Sequence, residues 1–417
     1  MTDHFKRVLS RPEFIALIAA LMALNALAID VMLPALPYMG EALGVTSENE
    51  RQFVITAYML GMGIAVLAFG PLTDRFGRRA PLLVGIAVYI VAAVVAAFAP
   101  SFALLLVLRF IQGAGAASVR VIATAVVRDR YSGREMAEVM SLTFMVFMAI
   151  PIIAPGIGQV LLLTGPWQTI FIFMGLLAAA FWLWTYFRLP ETLPMTSRRP
   201  LSFSGITSGF VIVFTNRVAL FYALAGTFLF GALFGFISSA QQIYVDIYQL
   251  GVYFPVAFAA MAGLMAVSSF TNSRIVRRLG MRRLSHGAML SFTVFSGIWL
   301  AFALSGWLPL WLFFSLLSVI MFSFGWASSN MNSLSMEPLG AVAGTASAVF
   351  GFIQTVGGAL IGSYVGQLFN GTTVPTALGY FGMGVLALIC ILVAESGRLF
   401  GVGEQYAQAE AAVEMGH

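Results

Sequence analysis

Runs of about twenty apolar residues, separated by much shorter polar stretches, recur along the whole chain, and that length is what one helix needs to cross the hydrocarbon of a bilayer. A helix suits that environment because it satisfies its own backbone hydrogen bonds where no water can. The runs fall at roughly 13–33, 52–73, 80–99, 101–126, 138–163 and 167–188, then at roughly 218–245, 252–273, 284–304, 308–330, 341–367 and 375–396. Composition agrees: 60% of the 417 residues are hydrophobic and 9% charged, against roughly half and a quarter in soluble domains. The expected fold class is an all-α integral membrane protein of twelve transmembrane helices.

The net charge of +5 does not point to nucleic acid, because the basic residues lie in short loops beside the spans. Lys6, Arg7 and Arg11, then Arg75, Arg78 and Arg79, then Arg128, Arg130 and Arg134, and finally Arg274, Arg277, Arg278, Arg282 and Arg283 alternate with nearly uncharged turns such as Ser305–Pro309. Basic loops stay inside, so both termini are expected in the cytoplasm. The one cysteine, Cys390, allows no intramolecular disulfide. His4, His286 and His417 fall at the two ends and in a loop region, which leaves no histidine for a metal or catalytic cluster in the membrane. Without a nucleophile-elbow or zinc motif either, the chain predicts no enzyme and no cofactor.

Proline and arginine gather between residues 189 and 217, where Pro190, Pro194, Arg198, Arg199, Pro200 and Arg217 make a polar inner segment. The expected organisation is a six-helix half at 1–188, a linker at 189–217, a second six-helix half at 218–397 and a cytoplasmic tail at 398–417. A shift of 203 positions lays Arg75-Phe76-Gly77 over Arg278-Leu279-Gly280 and Arg79 over Arg282, although Asp74 then falls on Arg277.

Between spans two and three lies Gly70-Pro71-Leu72-Thr73-Asp74-Arg75-Phe76-Gly77-Arg78-Arg79. This order resembles the signature loop of the major facilitator superfamily of secondary transporters. The resemblance implies two halves related by an axis along the membrane normal, a substrate site between them near the midplane, and alternating access. Gly70, Asp74, Arg75, Gly77, Arg78 and Arg79 would then act as a conformational switch, with Asp74 accepting hydrogen bonds from a helix N-terminus or pairing with a basic neighbour. Arg109-Phe110-Ile111-Gln112-Gly113-Ala114-Gly115 resembles the superfamily's fourth-span motif, whose arginine is linked to proton coupling. In span five, Pro151, Pro155, Gly156 and Gly158 are read as hinge or packing residues. Their Ala-Pro-x-x-Gly core resembles the antiporter motif, with Ala154 and Gln159 standing where glycines are usual. Taken with Asp30-x-x-Leu33-Pro34-Ala35-Leu36-Pro37 and Arg128-Asp129, the chain looks like the Bcr/CflA branch of drug:proton antiporters. That implies export of varied compounds such as bicyclomycin and chloramphenicol across the bacterial inner membrane.

An intramembrane charge costs at least about 2.5–3.5 kcal/mol, so each one needs a partner or a task. Asp30 lies about four residues, or about 6 Å, from the outer end of the expected first span, and Arg109 about eight residues, or about 12 Å, into span four. If their helices neighbour, the two can pair. Burial disfavours a carboxylate's charge and a guanidinium favours it, so movement between two states would alternate these influences and make Asp30–Arg109 a proton carrier. The competing readings are a solvated acid at a helix end for Asp30 and an arginine held by backbone carbonyls for Arg109. Arg120 either lines an inner vestibule or snorkels to the surface.

A polyspecific pocket draws on aromatic, methionine and a few polar side chains. Candidates for substrate contact are Asn25, Tyr58, Gln112, Phe144, Phe147, Met148, Tyr222, Phe228, Gln241, Gln242, Asn330 and Gln354. The expected partners are drug-like small molecules, protons and membrane lipids, with a single chain as the functional unit. Two further readings remain: a proton-coupled importer of a metabolite, which would need more fixed polar groups, and a non-transporting membrane sensor.

Overall fold

The computed structural model describes residues 9–131, 133–198 and 204–401, except the side chains at 133, 134, 137, 141, 144, 146–148, 204–206 and 340–345. The described residues form helices and no strand: α1 (Arg11–Asp30), α2 (Leu36–Ala42), α3 (Phe53–Phe76), α4 (Arg79–Ala96), α5 (Phe102–Arg130), α6 (Gly133–Thr164), α7 (Gln168–Arg188), α8 (Ser204–Thr215), α9 (Arg217–Gln241), α10 (Phe254–Leu279), α11 (Met281–Leu304), α12 (Leu310–Met336), α13 (Ala343–Phe352), α14 (Gly358–Gln367) and α15 (Val374–Ala394). Among them are 11 stretches long and apolar enough to cross a membrane. In addition, α6 is 32 residues long and contains the apolar stretch Ala149–Thr164. The chain is a multi-pass membrane protein.

Helix starts follow local chemistry. Ser10, Ser101 and Asn216 cap α1, α5 and α9 by accepting the backbone N–H of Glu13, Leu104 and Ala219, which satisfies donors that have no partner within the helix.

The first span departs from expectation. It does not stop at residue 33: α1 ends at Asp30, a 3-10 turn follows at Leu33–Ala35, and α2 carries the same apolar stretch on to Ala42. Pro34 and Pro37 break the helix because they lack an N–H, but the chain keeps crossing. Asp30 therefore lies about 18 Å of helix rise from Ala42 instead of about 6 Å from an outer end.

The signature stretch is also mostly helix. α3 continues through Phe76, and the chain turns only at Gly77, where φ is 89°. Gly280, which the shift of 203 sets over Gly77, joins α10 to α11 with φ 80°. An L side chain is strained in that region, so both turns use glycine.

α3 and α5 pack backbone to backbone. A Cβ on Gly61 would meet the Phe110 carbonyl and one on Gly113 the Tyr58 carbonyl, so each helix takes the other's backbone into a gap that only glycine leaves. Gly113→Ala is expected to cost about 1–3 kcal/mol, as overpacking does. The check is a lowered thermal midpoint in detergent beside Gly382→Ala, where an added Cβ meets nothing within 4 Å.

The segment expected to be a linker contains α8. Its Phe210, Ile212 and Val213 pack on Ala219, Ala223, Ala346, Val349 and Phe350 of α9 and α13. Residues 1–8, 199–203 and 402–417 lie outside the described residues. Between the earlier and later helices, α6 packs on α10, and α3 packs on α13, α14 and the π-helical turn Ile353–Gly357 that joins them.

Candidate transport site

A cavity of about 100 Å³ is lined by Asp30, Pro151, Leu233, Phe236, Phe258, Met261, Met265 and Met321. It draws on α1, α6, α9, α10 and α12, so early and late helices both line it. Asp30 is the one polar residue among the described residues lining it. The side chain is 4% exposed. No hydrogen bond or ion pair to any described residue holds its carboxyl.

The expected Asp30–Arg109 pair is not formed, although α1 and α5 do pack together. Arg109 is fully buried and commits its guanidinium elsewhere: Nη2 to the Ala28 carbonyl at 2.9 Å, Nε to the Val54 carbonyl at 3.1 Å and Nη1 to Gln112 Oε1 at 2.7 Å. The last carbonyls of α1 have no partner within their helix, and the break before Pro34 leaves Ala28 for Arg109 to satisfy. The Tyr58 ring lies 4.5 Å from the guanidinium carbon, and Tyr58 donates its hydroxyl hydrogen to Asn25 Oδ1 at 3.2 Å. Asn25, Tyr58, Arg109 and Gln112 thus form one buried polar cluster that ties α1, α3 and α5 together.

The remaining candidates scatter. Gln354 lies in the π-helical turn, Phe228 is half-buried on α9, and Asn330 donates to Asn272 Oδ1 at 2.8 Å, joining α12 to α10. Gln241 is the buried last residue of α9. Phe144, Phe147 and Met148 have side chains outside the described residues. The cavity's Leu233, Phe236 and Ile237, and its Phe258, Met261, Ala262 and Met265, were not singled out. Their signal was present as apolar residues at three- and four-residue spacing, but a lipid-facing stripe has the same spacing.

In span five, α6 stays helical through Pro151 and Pro155. Pro151 reaches the cavity, Gly158 packs against the Val31 carbonyl and Pro34 at the break in span one, and Gly156 has open space at its Cβ position. The switch residues meet at the basic end. Arg78 donates to Asp129 Oδ2 at 2.9 Å, Asp74 Oδ1 at 2.8 Å and Thr73 Oγ1 at 2.9 Å. Burial works against the Arg78 charge, but Asp129 and Asp74 outweigh it and hold its proton more tightly than usual. Asp74 therefore pairs with a basic neighbour, and the helix N-terminus is met instead by Glu191, which accepts the N–H groups of Arg78 at 2.7 Å and Arg79 at 3.2 Å. Arg79 also donates to the Tyr186 carbonyl. Gly70 accepts from Thr73 Oγ1, and Arg75 is exposed.

His286 is not in a loop. It is fully buried in α11, within a second cluster at the basic end. Phe400 N–H donates to its Nδ1 at 2.9 Å, so in the neutral ring Nε2 carries the hydrogen and donates to Tyr222 Oη at 2.9 Å. Tyr222 donates in turn to Glu395 at 2.7 Å, while Arg282 bridges Glu395 and Glu337 at 2.8 Å each. These contacts join α9, α11, α12 and α15, away from the cavity. No group of acids, histidines and cysteines among the described residues is placed to hold a metal ion.

At the opposite end a ring of amides joins early and late helices. Gln52 donates to Gln242 Oε1 at 2.7 Å, Gln242 to Asn49 Oδ1 at 2.9 Å, Asn49 to the Gln367 and Phe369 carbonyls at 3.0 and 2.8 Å, and Gln367 back to the Asn49 carbonyl at 2.6 Å. Away from this ring, Arg120 Nη1 donates to Thr355 Oγ1 at 3.0 Å and again joins an early helix to a late one.

Membrane-spanning helices packed around an apolar cavity, with a ring of polar contacts joining early and late helices at one end, define a membrane carrier. The model of the Major Facilitator Superfamily matches residues 18–362, and the chain belongs to that family. It is 32% identical over 386 residues to the "Bicyclomycin resistance protein homolog" of Haemophilus influenzae, covering 91% of this chain and 94% of the relative. It is also 32% identical to the "Chloramphenicol resistance protein" of Pseudomonas aeruginosa, with 82% and 80% covered. Among solved structures, the partially occluded inward-open xylose transporter XylE from E. coli superposes with a TM-score of 0.71 at 13% identity, covering 90% of this chain and 96% of that one; this likeness concerns the fold.

Proposed function

We propose that the protein exports small amphiphilic compounds, of the amphenicol or bicyclomycin kind, in exchange for protons. The observation that carries this reading is Asp30: a carboxyl without a partner, deep in the bundle, on the wall of an otherwise apolar cavity rich in methionine and phenylalanine. Soft, adaptable walls suit varied apolar substrates, and an unpaired acid at that depth is expensive unless it takes and releases a proton. The names of the relatives support the substrate class. The resistance relatives come from bacteria, which supports the bacterial inner membrane as the location, with the basic end and both termini in the cytoplasm.

In this reading the residues before 189 and those after 217 move as two halves. The amide ring closes the outer end and the basic end admits substrate. Asp30 carries the proton, while Arg109 acts through structure by holding the broken first span in place. The Asp74–Arg78–Asp129 contacts brace one state. Substrate touches the cavity wall near Asp30, the proton serves in place of a cofactor, and one chain surrounded by lipid suffices for the cycle.

The test is substrate-driven proton movement in proteoliposomes with a panel of amphenicols and cationic dyes. An imposed proton gradient is expected to drive compound against the direction of proton flow. Movement of compound with the protons would replace export by import, and no movement of any compound would remove the transport reading for that panel.

A further inference from the structure

Arg120 lies on α5 eleven residues beyond Arg109, and eleven residues at about 100° each bring it to within about 20° of the same helix face. Of the exposed apolar residues of α5, Leu104, Val107 and Ile111 lie about 140–180° from Arg120 around the helix and Phe110 about 80°, so Arg120 stands off the helix's main apolar exposed side. Instead its Nη1 donates to Thr355 Oγ1 at 3.0 Å, across to the π-helical turn of the eleventh span. The side chain is nevertheless exposed. Its open surface therefore faces the space between early and late helices. Thr124 and Arg128, one and two turns further on, continue the accessible stripe to the basic end, while Ile122, Ala123, Ala125, Val126 and Val127 around them are buried. The guanidinium has five donors. One serves Thr355, and no carboxylate among the described residues is paired with it.

We propose that Arg120 is the recognition point for an anionic group on the transported compound, a carboxylate above all, which enters from the basic end along the Arg128–Thr124 stripe. The inference rests on the export reading and adds amphiphilic acids to its substrate class. A guanidinium matches the two oxygens of a carboxylate with two parallel, charge-assisted donors. Arg120 is thus a specificity residue, distinct from the unpaired acid at the cavity.

The experiment compares an amphiphilic carboxylic acid with its methyl ester in proteoliposomes, for the intact protein, Arg120→Gln, Arg120→Lys and Thr355→Val. In parallel, ligand-induced thermal shifts in detergent are measured for the acid, the ester, and acetate or phosphate alone. Arg120→Gln is expected to raise the KM of the acid about tenfold or more while leaving the ester unchanged, the loss of a charge-assisted pair. Arg120→Lys should recover part of the effect, and Thr355→Val should spare both compounds. Equal loss for acid and ester in Arg120→Gln, or a matching loss in Thr355→Val, would make the contact a structural latch and overturn the proposal. So would phosphate protecting as well as the acid, or an intact protein that does not distinguish acid from ester. Ester transport indifferent to Arg120, with acid transport equally indifferent, sinks this inference and leaves export standing. If no compound moves at all, export fails and the thermal shifts still decide the site.

Discussion

Asp30→Asn is expected to reduce proton-driven transport to below about a tenth of the intact rate while substrate binding survives, because the amide keeps the carboxyl's shape and removes its proton and charge. The cavity wall around residue 30 is built from Phe236, Phe258 and Met261 and their neighbours, none of which takes a hydrogen bond from the carboxyl, so the substitution breaks no contact. Stability should be held or raised, since an unpaired acid leaves the low-dielectric interior. The two readouts separate the roles. Lost coupling with retained binding and an unchanged or raised thermal midpoint marks a proton carrier. Lost folding would mark a structural acid, and unchanged transport would show that Asp30 carries no proton in the cycle.

Cross-linking the amide ring is expected to stop turnover, reversibly. With Cys390 replaced by serine, a pair such as Asn49→Cys and Gln367→Cys joined by a short cleavable thiol linker ties the start of span two to the end of span eleven. Those two residues exchange hydrogen bonds in both directions, Asn49 Nδ2 to the Gln367 carbonyl and Gln367 Nε2 to the Asn49 carbonyl. The ring is made of neutral amides, each bond contributing about 0.5–1.5 kcal/mol net, which suits contacts that must form and break in every cycle. Transport should fall to background on linking and return on cleavage, while binding from the basic end persists. Full transport in the linked protein would show that this end does not open during the cycle.

The elements most legible in the sequence are those whose chemistry is local. Gly77 and Gly280 were readable because a tight turn between helices needs positive φ, and the basic loops because charge beside a span is itself the orientation signal. Asp30 stood out because a charge in an apolar run is costly wherever it points. Its depth was misread. Pro34 is a sound local sign of a helix end, but whether the chain leaves the membrane there depends on what covers the break, here Gly158 of α6 and the guanidinium of Arg109. Gln242 illustrates the same limit: nothing in its neighbourhood separates a residue that touches substrate from one that closes a gate, because Asn49 and Gln52, its partners, are roughly 190 positions away in the chain.

By itself, then, the order of residues determined the membrane class, the helical fold, the family and the few residues able to carry charge inside the bilayer, because backbone satisfaction in lipid and the cost of burying charge are decided one segment at a time. Only the tertiary structure decided that Arg109 serves carbonyls and not Asp30, that His286 is buried in a hydrogen-bonded cluster, and that methionines and phenylalanines of α9, α10 and α12 line the cavity. In an apolar bundle the side chains facing lipid, a neighbouring helix or the cavity are chemically alike, and which of the three surrounds each one is set by how the helices pack.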